Sequence, residues 1–569
     1  MGFRNLARSN TITRKAISGL ILGSLLLAGS AQASNSDAQA SFVSHMQLKI
    51  QALRSGSSTR TAGMTLRNRH TLVRTYDRTG YAAIWTSPQG WQTNGQRMFD
   101  YLAALPRHGL DPSNYHYNTL KSLRDDDSLA GRIHGDLLLS DAFISLVSDL
   151  ARGAARSNSL GSRAQSLLLR LKPTDDPARE FDGLLPQHPE YWSLSQALHQ
   201  LLSNDEGAEQ APLQANRMIK PGDHHPMIAE LRERLTRSGD YQPTHTSETG
   251  TQLGPRLAAA VAQFQARNGL DDDGIVGPST LAALNRSRAD VIDTLSLNLE
   301  RWRQAPASFG DSHVRVNIAG QSLEYHHANK PSLRMKVIVG RRDRQTPTTS
   351  SEINEVVFNP DWTVPQRIAV VDKLPLIKRD PNYLLERGYT LSAGWSSDSA
   401  KVDPLSVDWS QINRNNFPFV LRQQPGPNNA LGQVKFLFPN DYAVYLHDTP
   451  TRNLFDRGER LFSSGCVRLD QPMALAQALL RDHADGAWAD YANSDQTRHV
   501  RLSNRVPVHL QYWTAWVDRD GSLQLRNDVY QRDREVLNAL RDRGAYNSAT
   551  QLATLYQGEQ TTQLASLGD

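Results

Sequence analysis

The spacing of apolar residues changes near Asp311, and no other feature of the sequence limits the possible folds as strongly. Before Asp311, apolar residues recur three or four positions apart, most clearly between Leu137 and Leu150, as in amphipathic helices. After Asp311, apolar and polar residues alternate, as in strands with one buried face. The alternation predicts strands over residues 314–318, 335–339, 355–358, 434–438, 442–446 and 506–517. Because 569 residues exceed one typical domain, we expect a multidomain α+β protein.

Two helical units precede this change, and one long insertion interrupts the strands that follow it. Residues 85–202 are predicted to form a helical domain, and residues 221–285 a unit of three short helices. The insertion, residues 366–419, is rich in Pro, Asp, Asn and Trp and begins with a short helical pattern. An insertion of this length in a β domain is usually a lid or a binding loop. After the last strand, a helix is predicted over residues 529–543.

The three-helix unit contains an acidic turn, Asp271-Asp272-Asp273-Gly274. This turn does not fit a calcium-binding loop, because Gly269 would take the first ligand position and Thr280 the position of the bidentate glutamate. The aspartates are therefore interpreted as turn formers, with Gly274 and Gly277 in tight backbone conformations.

The N-terminus has the pattern of a secretory signal peptide. An uncharged apolar run, residues 16–29, leads to Ala31-Gln32-Ala33, and four basic residues precede it: Arg4, Arg8, Arg14 and Lys15. The run is shorter than the roughly 20 apolar residues of a membrane-spanning helix, so we predict cleavage after Ala33. An uncleaved anchor is the alternative, and both place the protein outside the cytoplasm. Residues 34–62 are interpreted as a flexible or partly helical lead-in, and residues 546–569 as a polar tail.

Charge and cysteine content exclude several classes of protein. The net charge is +5, but the leader holds four positive charges and no acidic residue, which leaves about +1 for the mature chain. This gives little support for binding to nucleic acid or to an anionic membrane. Cys466 is the only cysteine, so no intramolecular disulfide can form. It is a small buried hydrophobe, an intermolecular link or a nucleophile.

The densest chemical signal surrounds this cysteine. His447 ends a predicted strand, and Cys466 follows Ser464 and Gly465 after a short loop. A catalytic thiol needs a nearby imidazole to take its proton. Small residues before the thiol allow a sharp turn, so the N–H groups of Ser464, Gly465 and Cys466 are candidates for an oxyanion hole. Arg468 would lower the pKa of the thiol or bind a substrate carboxylate.

Each of these features has an ordinary structural explanation when it is considered alone. Together they favour a catalytic site, and a resemblance to a known family supports the same interpretation. The segment 422–469, including Pro425-Gly426-Pro427-Asn428-Asn429-Ala430-Leu431-Gly432 and Lys435-Phe436, resembles the YkuD-type catalytic domain of L,D-transpeptidases, particularly the large Gram-negative YcbB-like subfamily. The broad family pattern has a second histidine where this chain has Ser464. That departure leaves His447 as the only good candidate for the base.

Two further segments resemble other parts of the same large enzymes. Residues 221–285, through Gln263-Phe264-Gln265 and the segment 269–277, resemble a peptidoglycan-binding domain, although a spacer without a ligand is the alternative. Residues 85–150, with His108-Gly109-Leu110-Asp111, resemble a helical scaffold domain. The expected organisation is then: signal peptide 1–33, lead-in 34–62, helical scaffold domain 63–215, peptidoglycan-binding domain 216–290, β-rich catalytic domain 291–545 with an inserted capping subdomain at about 366–419, and tail 546–569.

The resemblance implies a two-step acyl transfer that uses no ATP, metal or organic cofactor. The thiolate of Cys466 would attack the amide between meso-diaminopimelate and the terminal D-alanine of a tetrapeptide stem, with His447 as the base. An amine of a second stem would resolve the thioester and give a 3-3 cross-link. Members of this family are typically acylated by carbapenems at the same sulfur. The implied location is the periplasm, at the cell wall; the implied partner is peptidoglycan, with room for other cell-wall synthesis enzymes.

Two aromatic residues are candidates for the donor pocket. Tyr445 lies two positions before His447 and so on the same face of its strand, and Trp362 stands near the start of the insertion. The alternative for Trp362 is a core residue beneath the lid. The adjacent pairs His224-His225 and His326-His327 lack metal-ligand spacing, so we predict no metal site. Two other functions stay open: a cell-wall cysteine peptidase acting as an L,D-carboxypeptidase, and a non-catalytic wall-binding scaffold.

Overall fold

The α+β architecture expected from the sequence is confirmed in a computed structural model of the chain. The structure describes residues 17–156, 159–204, 211–243, 250–396, 398–483, 488–492 and 496–566. The basic residues of the predicted signal peptide lie outside these ranges. Of the helices within them, none is both long and apolar enough to span a membrane.

The scaffold region is built around one long helix, Leu129–Arg152, whose buried residues lie on almost every side of it. A helix that is apolar all round is stable only inside a core. Other helices surround it: Ile17–Ser55, Arg69–Arg78, Thr93–Ala103, Tyr117–Arg124, Gly161–Leu168, Ala178–Asp182 and Pro189–Ser203. Short strand pairs, Arg60–Thr61 with Met64–Thr65 and Thr86–Ser87 with Gly90–Trp91, and the 3₁₀ turns Leu105–His108 and Pro112–Tyr115 complete the unit.

The two ends of the described chain are more ordered than the sequence indicated. Residues 34–55 of the lead-in, which was predicted to be flexible or partly helical, belong to the helix Ile17–Ser55, and four of their apolar side chains, three or four positions apart, are buried in the scaffold core: Phe42, Met46, Ile50 and Leu53. The tail also contains a helix, Ala549–Ser566, which buries Leu552 and Tyr556 in the same core. Both segments have few apolar residues, but the helical spacing of those residues is enough to dock them.

The predicted three-helix unit is present as the helices Ile228–Arg237, Pro255–Arg267 and Pro278–Leu284 among the described residues. Gln265 holds the acidic turn, because its amide donates to Asp273 at 3.0 Å and its carbonyl accepts from the Gly274 N–H at 2.8 Å. Gly274 has a φ of 70°, and a Cβ there would lie 2.9 Å from a backbone carbonyl. The prediction for Gly277 was wrong, since its φ of −102° is ordinary extended backbone.

A helix at Arg288–Arg303 connects this unit to the catalytic domain. Ser287 and Asp290 form a capping box at its start, which satisfies two N–H groups that the helix leaves free. The helix packs into the scaffold core, and Asn298 exchanges hydrogen bonds with Thr514 of the catalytic domain at 2.9 and 3.0 Å. The scaffold and catalytic domains are therefore joined by a shared helix, and the expected boundary at residue 291 falls inside it.

Within the described ranges, the catalytic domain is a nine-stranded sheet. Across the sheet the strands follow in the order Leu461–Ser463, Lys330–Gly340, Val467–Leu469, Leu446–His447, Val434–Leu437, Thr349–Phe358, Arg498–Gln511, His313–Asn317 and Ser322–His327. The last of these also pairs with Lys330–Gly340, so the sheet closes on itself. The helix Pro472–His483 contributes Leu475 and Leu479 to the core on the inner face. Trp488–Ala492 is a further short helix.

Two strand predictions differ from the structure. Of residues 442–446, only Leu446 is in a strand, because the Asn440 side chain accepts hydrogen bonds from the N–H groups of Tyr442 and Val444 and turns the chain. The segment 506–517 is split into the end of Arg498–Gln511 and a separate strand, Ala515–Val517, which pairs with Leu523–Leu525. The helix predicted over 529–543 is Arg532–Asp542.

The insertion is a subdomain with its own apolar core. It contains helices Gln366–Ile368, Leu374–Arg379 and Asn382–Glu386, a π-helical turn Ala369–Lys373, and a 3₁₀ turn Pro404–Ser406. Among its described residues a small sheet runs in the order Lys401–Val402, Tyr389–Ser392, Val420–Gln423 and Trp362–Thr363. This capping subdomain therefore begins and ends a few residues outside the predicted 366–419. Tyr445 packs against its core as well as against the core of the main sheet.

Candidate active site

The pairing of three short strands brings the predicted catalytic residues together. In the register of the sheet, His447 lies opposite Lys435 of the antiparallel strand on one side and opposite Arg468 of the parallel strand on the other. Residues directly opposite each other point to the same face. Their neighbours Phe436, Leu446 and Val467 fill the inner core, so this row lies on the outer face, toward the capping subdomain.

Tyr445 and Cys466 stand two residues earlier in the same register, and therefore on the same face as His447 and Arg468. The N–H of Val467 donates to the carbonyl of Tyr445 at 3.1 Å, which fixes the two strands at this point. Because side chains alternate between faces, Cys466 shares the outer face with Arg468. The rings of Tyr445 and His447 are 5.6 Å apart. The structure thus gathers the predicted nucleophile, base, arginine and tyrosine on one surface.

His447 is a buried, neutral imidazole. It is 4% exposed, and its Nδ1–H donates to the carbonyl of Asp448, so the lone pair of the neutral ring is on Nε2. Burial, the charge of Arg468 and the charge of Lys435 lower its pKa to about 3. The imidazole is therefore uncharged at neutral pH and free to accept a proton.

Cys466 is a half-buried free thiol. Burial raises its pKa to about 11, although hydrogen bonds from the backbone and hydroxyl of Tyr445 and the charge of Arg468 act in the opposite direction. With the pKa of His447 so low, the resting site holds a thiol and a neutral imidazole instead of a thiolate–imidazolium pair. Any reaction of this sulfur as a nucleophile would then require the thiol to lose its proton.

The loop before Cys466 is held by its own hydrogen bonds. The Ser463 hydroxyl accepts from the Gly465 N–H at 3.1 Å and donates to the Cys466 carbonyl at 2.5 Å. Thr346 donates to the Gly465 carbonyl at 2.8 Å, and the φ of Gly465 is 119°, which favours glycine. In the described part of the chain the N–H groups of Ser464 and Cys466 have no acceptor, which narrows the candidate oxyanion donors to these two.

An ion pair that the sequence did not predict connects this loop to the capping subdomain. Arg344 donates to the exposed Ser464 hydroxyl at 3.0 Å and to both carboxylate oxygens of Asp372, at 2.5 and 2.8 Å. Asp372 lies in the π-helical turn of the capping subdomain. The three residues are far apart in the chain, and no local pattern links them.

Arg468 has no anionic partner within the described residues. Its side chain is half-buried, and its Nε is buried without a hydrogen-bond acceptor. Burial lowers its pKa, while the nearby Cys466 acts in the opposite direction. An uncompensated guanidinium beside the thiol is suited to a carboxylate, since arginine binds that group through paired hydrogen bonds.

Trp362 is a buried member of the core of the capping subdomain, which is the alternative considered for it. Its side chain also interacts with the hydroxyl of Tyr445. The Lys373 ammonium lies 5.7 Å from the centre of its ring. Trp362 therefore connects the core of the capping subdomain to Tyr445, which lies beside Cys466.

Asp448, whose carbonyl accepts the hydrogen bond from His447, is held in place by contacts of its carboxylate. Its carboxylate accepts from the Gln433 N–H at 2.8 Å and from Arg452 at 3.3 Å. Gly432 makes this close approach possible, because a Cβ there would lie 2.2 Å from the Asp448 carboxylate. The sequence showed Asp448 beside His447 but gave no signal for this role. Among the described residues, no group of three or more His, Cys, Asp or Glu side chains is arranged to hold a metal ion.

Three family models match the chain. Residues 311–490 match the YkuD L,D-transpeptidase catalytic domain, residues 70–198 match the "Scaffold domain", and residues 224–284 match the "Putative peptidoglycan binding domain". The matched ranges agree with the sheet, the helical region and the three-helix unit described above.

Known proteins are similar to parts of the chain. A protein of Haemophilus influenzae named "Putative L,D-transpeptidase" is 37% identical over 255 residues, which are 44% of this chain and 50% of that protein. The chain thus spans about half the length of the curated relative it matches.

Solved L,D-transpeptidase structures show only remote similarity. The protein from Xylanimonas cellulosilytica is 15% identical over 52% of this chain and 99% of its own, with a TM-score of 0.18. The one from Stackebrandtia nassauensis is 15% identical over 53% and 97%, with a TM-score of 0.21. These scores add no weight, and the assignment stands on the family models and the sequence relative. The chain therefore carries a YkuD L,D-transpeptidase catalytic domain together with a peptidoglycan-binding domain.

Proposed function

We propose that this protein forms 3-3 cross-links between peptidoglycan stems through a thioester on Cys466. One observation carries the proposal: on the outer face of the sheet, the single thiol lies two residues before Arg468, which has no anionic partner among the described residues and stands opposite a buried, neutral His447. This is the set of groups that acyl transfer to and from a thiol requires.

In the first step, the sulfur of Cys466 attacks the carbonyl carbon of the amide between diaminopimelate and D-alanine. Nε2 of His447 takes the thiol proton as the carbon–sulfur bond forms. The N–H groups of Ser464 and Cys466 are placed to stabilise the negative oxygen of the tetrahedral intermediate. The carbon–nitrogen bond then breaks, His447 passes its proton to the leaving amine, and D-alanine departs.

In the second step, an amine of another stem attacks the thioester carbon. His447 takes a proton from this amine, the carbon–sulfur bond breaks, and the sulfur regains a proton. One amide bond replaces another, and the thioester keeps the acyl group activated between the two steps. The transfer therefore does not require ATP. The same sulfur is the expected site of acylation by carbapenems.

The other domains fit an enzyme that works at the cell wall. The peptidoglycan-binding domain would hold the catalytic domain near its polymeric substrate, which raises the local concentration of stems. The proposed location is the periplasm, after export by a cleaved signal peptide. The capping subdomain would cover the bound stem, since it packs against Tyr445 and is linked through Arg344 to Ser464 beside the thiol.

A product assay tests this function. Purified protein is incubated with disaccharide-tetrapeptide, and the products of wild type, Cys466→Ala and His447→Ala are separated by chromatography and identified by mass. A cross-linked dimer from wild type alone supports the proposal. Shortened stem without dimer would indicate an L,D-carboxypeptidase, and no product from any variant would indicate a non-catalytic scaffold.

A further inference from the structure

The outer face of the sheet carries a second cation that the mechanism above leaves unused. Lys435 lies opposite His447 in the register, on the side away from Arg468. Lys435, His447 and Arg468 therefore form one row across three adjacent strands, with the imidazole between two positive charges. Val434 and Phe436, on either side of Lys435, belong to the inner core, so the lysine itself is on the active-site face.

Neither cation of this row is neutralised by a carboxylate within the described residues. The Nζ of Lys435 contacts the backbone carbonyl of Asp361 at 3.5 Å, and burial lowers the pKa of the amine. The carboxylates of Asp361 and Glu355 attract its charge from beyond ion-pairing distance. Each of them contacts another side chain: Asp361 lies 3.3 Å from Arg422, and Glu355 lies 3.0 Å from His499.

Two partly buried, unpaired cations beside a nucleophile are unfavourable unless a ligand compensates them. The nearby Arg344 shows the contrast, since it is fully paired with Asp372. The row is therefore complementary to a ligand with two negative charges.

We infer that Lys435 positions the donor stem by binding the carboxylate of its terminal D-alanine. This inference rests on the proposed function, because it takes the donor from there. A stem that ends in diaminopimelate and D-alanine has a free carboxylate on each side of the amide that breaks. Arg468 is on the strand of Cys466, where the acyl group is held, and so takes the carboxylate of diaminopimelate. His447 protonates the leaving nitrogen, and Lys435 lies beyond it, where the leaving D-alanine ends.

Paired substrates and variants test this assignment. The release of D-alanine or D-alaninamide is measured from two disaccharide-tetrapeptides that differ only in that terminal group. For wild type, kcat/KM is expected to be about 10- to 100-fold lower with the amide, the usual effect of losing a hydrogen bond between charged groups. Lys435→Met should show the same loss on the carboxylate stem and no further loss on the amide stem. Lys435→Arg should recover part of the preference.

A matched control is Lys330→Met, which removes an exposed lysine from another strand of the same sheet and should leave both rates unchanged. If Lys435→Met lowers both rates equally, the lysine acts on folding or on the pKa of His447, and the inference is overturned. The inference and the proposed function fail differently: if wild type releases neither product, the proposed function is wrong. If wild type turns over both stems without a preference, only the role of Lys435 is wrong.

Discussion

The protonation states of Cys466 and His447 determine how readily the thiol of the substrate-free protein reacts. Burial raises the pKa of Cys466 to about 11 and lowers that of His447 to about 3. Only about one thiol in 10,000 is then ionised at pH 7. The reactivity of the free protein toward a small neutral reagent should follow this small thiolate fraction.

We therefore predict that alkylation of Cys466 by iodoacetamide accelerates about tenfold per pH unit from pH 7 to pH 10. The pKa of the thiol is raised, so the thiolate is gained only as the pH rises toward 11, and no step is expected near pH 6 to 7. The rate is followed by intact-protein mass spectrometry, with Cys466→Ser as the unlabelled control. A plateau above pH 7 would show a preformed ion pair and contradict this description.

Gly432 gives a second prediction at this scale. Its φ is 59°, and a Cβ there would lie 2.2 Å from the Asp448 carboxylate. Gly432→Ala should lower the free energy of unfolding by more than the roughly 1–2 kcal/mol of backbone strain and should also reduce kcat, because the acceptor of the His447 N–H moves.

The matched control is Gly521→Ala, where φ is 83° but no atom lies within 4 Å of the added Cβ. That variant should show the strain alone, with unchanged kcat. Both are measured by denaturant unfolding and steady-state kinetics. Equal kcat values for the two variants would exclude a role of Asp448 in holding the base.

At the scale of elements, Arg344 links the capping subdomain to the loop that precedes Cys466. Arg344 binds Asp372 of the capping subdomain and the Ser464 hydroxyl together. Asp372→Asn should therefore raise KM for the tetrapeptide stem several-fold through a less ordered capping subdomain, while the rate of iodoacetamide alkylation stays unchanged.

Asp343→Asn is the control, since Asp343 lies 3.8 Å from the same guanidinium but is exposed. An unchanged KM in Asp372→Asn would show that the pair does not order the site.

Elements with a clear apolar period could be predicted from the sequence, and those that depend on distant partners could not. Alternation located the strand that contains Phe436, and the motif around Cys466 pointed to the thiol and to His447, which the folded sheet places on the same face. The turn at Asn440 was missed because a side-chain hydrogen bond overrides the alternation. Arg344 had no local signal, and Lys435 entered only as part of the family resemblance, since the contacts of both residues come from partners that only the folded sheet brings near.

At the scale of the whole molecule, the C-terminal segment is part of the scaffold core. Leu552 is fully buried there, in the helix Ala549–Ser566. Leu552→Ala should lower the free energy of unfolding by about 2–5 kcal/mol, the usual cost of a cavity left by a buried leucine. Thr554→Ala, on the exposed side of the same helix, should have little effect. If denaturant unfolding gives equal values for the two variants, the helix is not docked.

The central claim is that the acyl group of the stem passes through the sulfur of Cys466. Intact-protein mass spectrometry of wild type quenched in acid during turnover of disaccharide-tetrapeptide tests it most directly. The account predicts a mass increase equal to the stem without its terminal D-alanine, located on Cys466 and absent from Cys466→Ala. Turnover by wild type with no adduct on Cys466, or turnover that survives in Cys466→Ala, would contradict it.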